Sequence, residues 1–198
     1  MSRTDDGAGA PRNRRRPAVA GAGAGTVALD RRPLTGEEAL VLHEELKTTP
    51  NIFGYTVREL LRFRDVVIAQ ADEGAFAGAC LSKDLLLGWT DIAALYVLPV
   101  FRGRGIGTRL YTAAFTRARE RGRHVFTLSR SPEVIGLMER FGMELTRSVW
   151  KAPLAVHLHM NRHMMSAYRL REMRRKASLR RSDGGPALTA GTKLRDAL

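Results

Sequence analysis

The sequence holds one cysteine, Cys80, in 198 residues. That scarcity excludes an internal disulfide framework and a cysteine-rich zinc site, and it suits a reducing, cytoplasmic compartment. Nowhere do about 18 apolar residues run together, the length a membrane-crossing helix needs. Acidic residues are also few, 20 Asp and Glu against 33 Lys and Arg, for a formal charge of +13. The surplus is local. Residues 1–33 carry seven bases against three acids and residues 155–198 carry ten against three, whereas residues 34–154 carry sixteen against fourteen. A nearly neutral body with basic tails is a weaker nucleic-acid signature than a basic domain, and a single aromatic residue, Tyr168, lies among the tail arginines, so they lack aromatic interleaving for base stacking. Counterion release would still allow nonspecific contact with nucleic acid through the tails.

Hydrophobic content of 44% and a length of 198 residues suit one globular domain with a full core. Residues 1–25 are rich in Gly, Ala, Arg and Pro without periodicity and read as a disordered leader. Its small-residue stretch is barely hydrophobic, so it reads as a leader rather than a signal peptide. Thr26 to Leu29 suits a first strand. Thr35 with Glu38, and Thr56 with Glu59, are capping boxes that open two helices, the first with an apolar stripe at Ala39, Leu40, Leu42 and Leu46. Asp65–Ala71 and Ala75–Leu81 read as a hairpin around Asp72-Glu73-Gly74. Cys80 falls within it as a small core residue. Leu85, Leu86, Leu87 and Trp89 form an apolar connection, read as core rather than cleft lining. Thr90–Leu98 is a further strand.

The stretch around which the chain is organised follows. Leu95, Tyr96 and Val97 lead through Pro99 into the turn Arg102, Gly103, Arg104, Gly105, Ile106, Gly107, Thr108, which opens an amphipathic helix through about Arg121. Glycines let a backbone approach a ligand closely, and the first N–H groups of a helix lack intrahelical partners. With two arginines beside them, such groups suit a phosphate. The turn has neither the Lys-Ser/Thr ending of a Walker loop nor the glycine spacing of a Rossmann fingerprint. After it come a strand, His124–Ser129, and a helix opened by Ser131 and Pro132 that stops at Gly142. Glu144–Lys151 reads as a closing strand.

Val97-x-Pro99 with Arg102-x-x-Gly105-x-Gly107 resembles the GNAT superfamily of N-acetyltransferases, whose Q/R-x-x-G-x-G/A motif binds the pyrophosphate of acetyl-coenzyme A through backbone amides. The segment from Ser131 resembles the second GNAT signature, with Leu137 and Gly142 matching, while Ser131, Val134, Met138 and Met143 stand for Asn, Ala, Tyr and Phe. The resemblance covers about 26–153. It implies an α/β (α+β) GNAT fold, a central mixed, mostly antiparallel sheet of six to seven strands flanked by helices. It also implies acetyl transfer from acetyl-coenzyme A, as co-substrate without a metal, to an amine of a small molecule, peptide or protein. Leu95, Tyr96, Val97, the turn from Arg102 to Thr108, and Ser131 would hold the donor, with an oxyanion donor at about Val97. The family's usual acid, a Tyr, falls at Met138, leaving Tyr111 and Tyr96 as alternatives. Asp91, eleven residues before Arg102, stands where some members carry a carboxylate base, and is read equally as a strand-end Asp. A catalytically weak acyl-coenzyme A-binding module is the alternative.

From residue 154 to 181 the pattern changes to a basic amphipathic helix, with Met160, Met164 and Tyr168 at four-residue spacing and a Met-rich face suited to a second subunit. His159 and His163 lie one turn apart, but with no acid nearby in sequence they read as helix-face residues rather than metal ligands. Residues 182–198 read as a disordered tail.

Overall fold

The computed structural model describes residues 27–49, 54–148, 152–164, 171–172, 174–176 and 188–195. The leader through residue 26 lies outside them, as do Val149, Trp150 and Tyr168. The chain runs β1 (Ala28–Arg31), α1 (Gly36–Thr48), α2 (Val57–Leu60), β2 (Asp65–Gln70), β3 (Phe76–Asp84), β4 (Trp89–Val97), α3 (Ile106–Glu120), β5 (His124–Ser129), α4 (Pro132–Arg140), β6 (Glu144–Thr146), α5 (Leu154–Met164) and β7 (Thr189–Lys193). Both capping boxes form: Thr35 and Thr56 accept from the backbones of Glu38 and Glu59, whose carboxylates reach back to the cap N–H groups. Leu42 and Leu46 of the α1 stripe are buried, whereas Leu40 turns outward at 54% exposure.

The strands form one seven-stranded sheet in the order β1-β2-β3-β4-β5-β7-β6. Every neighbouring pair is antiparallel except β4 and β5. That parallel pairing runs only from Trp89 opposite His124 to Ile92 opposite Thr127, after which the two strands part. A bulge shapes the same strand. Leu81 pairs with Ala94 and Ser82 with Ile92, so Ala93 is an extra residue on β4. One added residue reverses the alternation of side chains beyond it. Ile92, Leu95 and Val97 therefore pack with the α3 core, while Ala94 and Tyr96 pack with α1 and α2.

Three apolar clusters hold the layers together. Ile106, Leu110, Tyr111, Ala114 and Phe115 of α3 press on one face of β2–β5, joined by Leu137 and Met138 of α4. Leu42, Leu46, Leu60 and Phe63 cover the other face over Ile68, Leu81 and Tyr96. Trp89, Phe126, Ala155, Val156 and Ala190 form a third cluster, on the side of β5 opposite to Val125 of the α3 core. The apolar connection before β4 divides. Trp89 is buried and Leu85 packs beside it, but Leu86 and Leu87 are 68% and 69% exposed, so they are neither core nor cleft.

The tail from 182 contains order that its composition does not announce. Residues 189–193 are β7, hydrogen-bonded between β5 and β6. The closing strand predicted over 144–151 is correspondingly short, three residues at the sheet edge. Beyond β7 the chain is tied down again. The Arg195 N–H donates to His124 Nδ1 at 2.8 Å, and Arg119 donates to the Leu194 carbonyl at 2.5 Å. Deleting residues 189–198 removes a strand with neighbours on both sides and uncovers Met138, which packs on Gly191. A loss of several kcal/mol is expected, seen as a melting temperature lower by roughly 10 °C or more in a calorimetric scan.

Candidate active site

Where β4 and β5 part, a cleft of about 910 Å³ opens. One wall is β4 from Ile92 to Val97, the other Thr127–Ser129 of β5 with the start of α4. Two further elements close its rim, the turn before α3 and the last turn of α1 with Glu45, Thr48 and Thr49. The α1 end is fixed by the chain beyond β6. Buried Lys176 donates to the carbonyls of Leu46 at 2.6 Å and Thr49 at 2.8 Å, placing a cation on the orphan carbonyls of a helix C-terminus.

The glycine-rich turn has the conformation its residues require. Gly103 and Gly105 have φ of +77° and +71°, and Gly105 is the residue that caps α3. No atom lies within 4 Å of where a Cβ would stand at either position, so glycine is there for backbone freedom and an open approach. The first helical hydrogen bond after the cap is donated by the Arg109 N–H to the Gly105 carbonyl at 3.1 Å. The N–H groups of Ile106, Gly107 and Thr108 precede it and belong to the set a helix leaves without internal partners. A Cβ on Gly107 would meet Val97 Cγ2 at 3.7 Å, which sets α3 close against β4.

The two arginines of the turn sit differently. Arg102 turns back onto β4, donating from Nε to the Val97 carbonyl at 3.1 Å and from Nη2 to the Tyr96 hydroxyl at 3.1 Å. Its guanidinium lies 5.4 Å from the Tyr96 ring centre, and Arg104 lies 5.7 Å from that of Phe101. The Tyr96 hydroxyl in turn donates to Glu45 Oε2 at 2.6 Å. Burial, and then that carboxylate, raise the phenol above its ordinary range. On the opposite wall Ser131 stands at the N-cap position of α4, but its hydroxyl donates to the Glu133 carboxylate rather than capping the backbone, and that carboxyl is held low chiefly by this bond. Open N–H groups at a helix start, with arginine charge alongside, fit the diphosphate of a coenzyme A-type donor.

Leu95, Tyr96, Val97, the residues Arg102 to Gly107 other than Arg104, Thr108 and Ser131 all line the cleft, and Arg104 does not. Of the three candidate proton-transfer residues, Tyr96 and Tyr111 line the cleft and Asp91 is not among its lining residues. Asp91 lies below the parting point on β4, opposite Lys83 of β3 and Phe126 of β5. Desolvation pushes its carboxyl up to about 7, against the opposing pull of Lys83. Tyr111 reaches the cleft floor, but its hydroxyl is buried, 3.0 Å from Thr127 Oγ1, and donates to the Met143 sulfur at 3.2 Å. Burial holds that phenol well above its usual range, so this geometry suits floor packing rather than proton donation. Met138 is fully buried. Glu45, Thr127 and Ser129 enter the site with no sequence signal: the place of Thr127 and Ser129 follows from the parting of β4 and β5, and that of Glu45 from the end of α1 at the cleft rim. Among the described residues no group of three or more His, Cys, Asp or Glu side chains is arranged to hold a metal ion.

Comparison with known proteins adds an independent line. The acetyltransferase (GNAT) family model matches residues 37–143. Among solved structures, N-acetylglutamate synthase from Neisseria gonorrhoeae, complexed with coenzyme A and N-acetyl-glutamate, superposes with a TM-score of 0.58 at 18% identity. The match covers 88% of this chain but 37% of that one, so this chain spans well under half of that protein. Rv2747 from Mycobacterium tuberculosis, in a complex that includes CoA, gives 0.58 at 15% identity over 85% of this chain and 99% of that one. A putative acetyltransferase of the GNAT family from Desulfovibrio desulfuricans gives 0.51 at 18% over 61% and 87%. At these identities the likeness is one of fold. No match is found among the curated proteins.

Proposed function

The chain belongs to the acetyltransferase (GNAT) family, and from that premise we propose that it is an N-acetyltransferase moving an acetyl group from acetyl-coenzyme A to an amine by direct attack. The observation that carries the reading is the turn capped by Gly105 at the mouth of the cleft, an anion cradle at one end of a slot between two parted strands. The donor supplies a thioester, whose carbonyl carbon is the electrophile. The N–H groups of Ile106, Gly107 and Thr108 hold the diphosphate, with Arg102 and Arg104 adding charge. On its β5 side the edge of β4 beyond Ile92 has no strand beside it among the described residues, so its backbone groups can pair with an extended pantetheine arm and, near Val97, with a developing oxyanion.

An amine with an ordinary pKa near ~10 is protonated at neutral pH and must lose a proton before it attacks. Asp91 is the proposed base, on the strand that forms the cleft wall. Positioning two bound substrates accounts for roughly 7 kcal/mol or more of barrier lowering by itself, so no covalent enzyme intermediate is required. A second reading has a specific observation behind it. Met138 occupies the position of the family's tyrosine and is packed into the core, so the chain would bind the donor yet turn over slowly.

Titration calorimetry with acetyl-coenzyme A, followed by an acceptor screen of amino acids, polyamines and peptides read by thiol release, separates the two. Micromolar donor binding with acceptor-dependent thiol release supports transfer, and donor binding without it supports the weak module. Absence of heat with 1 mM acetyl-coenzyme A removes both.

A further inference from the structure

The chain beyond β6 returns to the sheet as α5, outside the residues that match the family model. Ala155 and Val156 seat this helix in the third cluster, over Trp89 and Phe126. His159 lies one helical turn beyond Ala155, so it falls on the same packed face. That face meets β4, and the His159 imidazole Nε2 stands 3.9 Å from Asp91 Oδ2. Neither group is a surface residue: their side chains are 16% and 14% exposed.

We propose that His159 is a positioning residue for Asp91, the inserted helix supplying an imidazole that pairs with the β4 carboxylate and keeps it ionised for proton abstraction. The inference rests on the reading of Asp91 as the base. A carboxyl this buried is protonated at neutral pH unless something opposes desolvation. In register with it, β5 places apolar Phe126 and β3 places Lys83, while α3 brings the phenol of Tyr111 and α5 brings His159. Of the side-chain types facing Asp91, imidazole is the one whose charge ordinarily changes near neutrality. Two such groups at this distance titrate as a coupled pair, each shifting the other. When Asp91 takes a proton from the acceptor ammonium, the amine lone pair is freed for attack and the pair as a whole gains one proton. That proton returns to solvent from the imidazole or the carboxyl after product leaves.

The test is a carbon NMR titration of the Asp91 carboxyl in the full chain, assigned by its disappearance in Asp91→Asn, and repeated in His159→Gln and His159→Lys. The two substitutions have opposite predicted signs. The midpoint should rise by about half a pH unit or more in His159→Gln, where the positive partner is lost, and fall by a similar amount in His159→Lys, where it is permanent. Reciprocally, the His159 ring should titrate at lower pH in Asp91→Asn, an arm that leaves the imidazole in place should either His159 variant fold poorly. Shifts in these directions establish the pair. Midpoints unmoved within about 0.2 pH unit in folded variants overturn it, because a helix residue that only packs would leave the carboxyl's titration alone. Acetyl-coenzyme A titrations of the same samples report on the donor cleft separately. Loss of donor binding in the unsubstituted protein would count against the function reading, whatever the carboxyl does.

Discussion

Gly105→Glu should weaken acetyl-coenzyme A binding by 100-fold or more while leaving the protein folded. Gly105 has φ +71° and caps α3, with open space where a side chain would begin. A residue with a Cβ held in this left-handed conformation costs about 1–2 kcal/mol, which lowers the melting temperature by a few degrees for a chain of this size. Gly105→Ala carries the same backbone cost without added charge. The two variants should therefore melt alike and bind differently. The alanine variant loses at most about tenfold in donor affinity, a share of the 1–2 kcal/mol of backbone strain. The glutamate variant adds a carboxylate at the site whose N–H groups and helix dipole favour an anion, and so competes with the diphosphate directly. Calorimetry on both, beside thermal melts, decides the matter. Equal donor affinities in the two variants would mean the turn serves only strand-to-helix packing.

That prediction can be framed from sequence because its causes are local. Glycines at alternating positions, a preceding strand and a following amphipathic helix are all written within residues 95–121, and the turn conformation follows from them. Capping boxes are equally local, and both form at the residues that announce them. What was illegible depends on distant parts of the chain. The segment Thr189–Lys193 reads TAGTK, with little apolar content, and becomes a strand because β5 and β6 leave a gap between them. Small residues are what the gap admits: a Cβ on Gly191 would stand 2.5 Å from the Met138 sulfur. Met138, a thioether with no proton to donate, is held in the core by the same close approach to Gly191.

Site residues divide along the same line. Arg102 and the glycines are fixed by the turn, but Glu45 reaches the cleft only because α1 ends there, with Lys176 of the inserted segment holding that end. His159 reads from sequence as a helix-face residue lacking an acidic neighbour. Its partner is on β4, brought beneath α5 by the sheet. Tyr111 has the periodicity of a core position and the chemistry of an acid, and sequence cannot choose between them. In the fold, Thr127 and Met143 enclose its hydroxyl.

Asp91→Asn should show an activity loss coupled to a gain in stability. As the proposed base, Asp91 accounts for a factor of roughly 10²–10⁴ in kcat, the usual contribution of a positioned proton acceptor, with the donor dissociation constant unchanged. The activity of the unsubstituted protein should rise with pH through about 7, where burial has moved the carboxyl. Stability runs the other way. A carboxyl whose folded pKa lies above its unfolded value of about 3.9 binds more protons in the folded state. Folding therefore loses stability as pH rises from about 4 to about 7, the window between the two values, and the loss is complete above it. The deficit is of the order of a few kcal/mol, as expected when a carboxylate must ionise away from water. Asparagine has the same shape and never ionises. The variant should accordingly melt several degrees above the unsubstituted protein at pH 8, with the gap closing toward pH 4. Such a pattern marks a residue retained for chemistry at the expense of folding. A variant that loses activity and stability together at pH 8 would instead identify Asp91 as a structural partner, whose ionised form the fold favours.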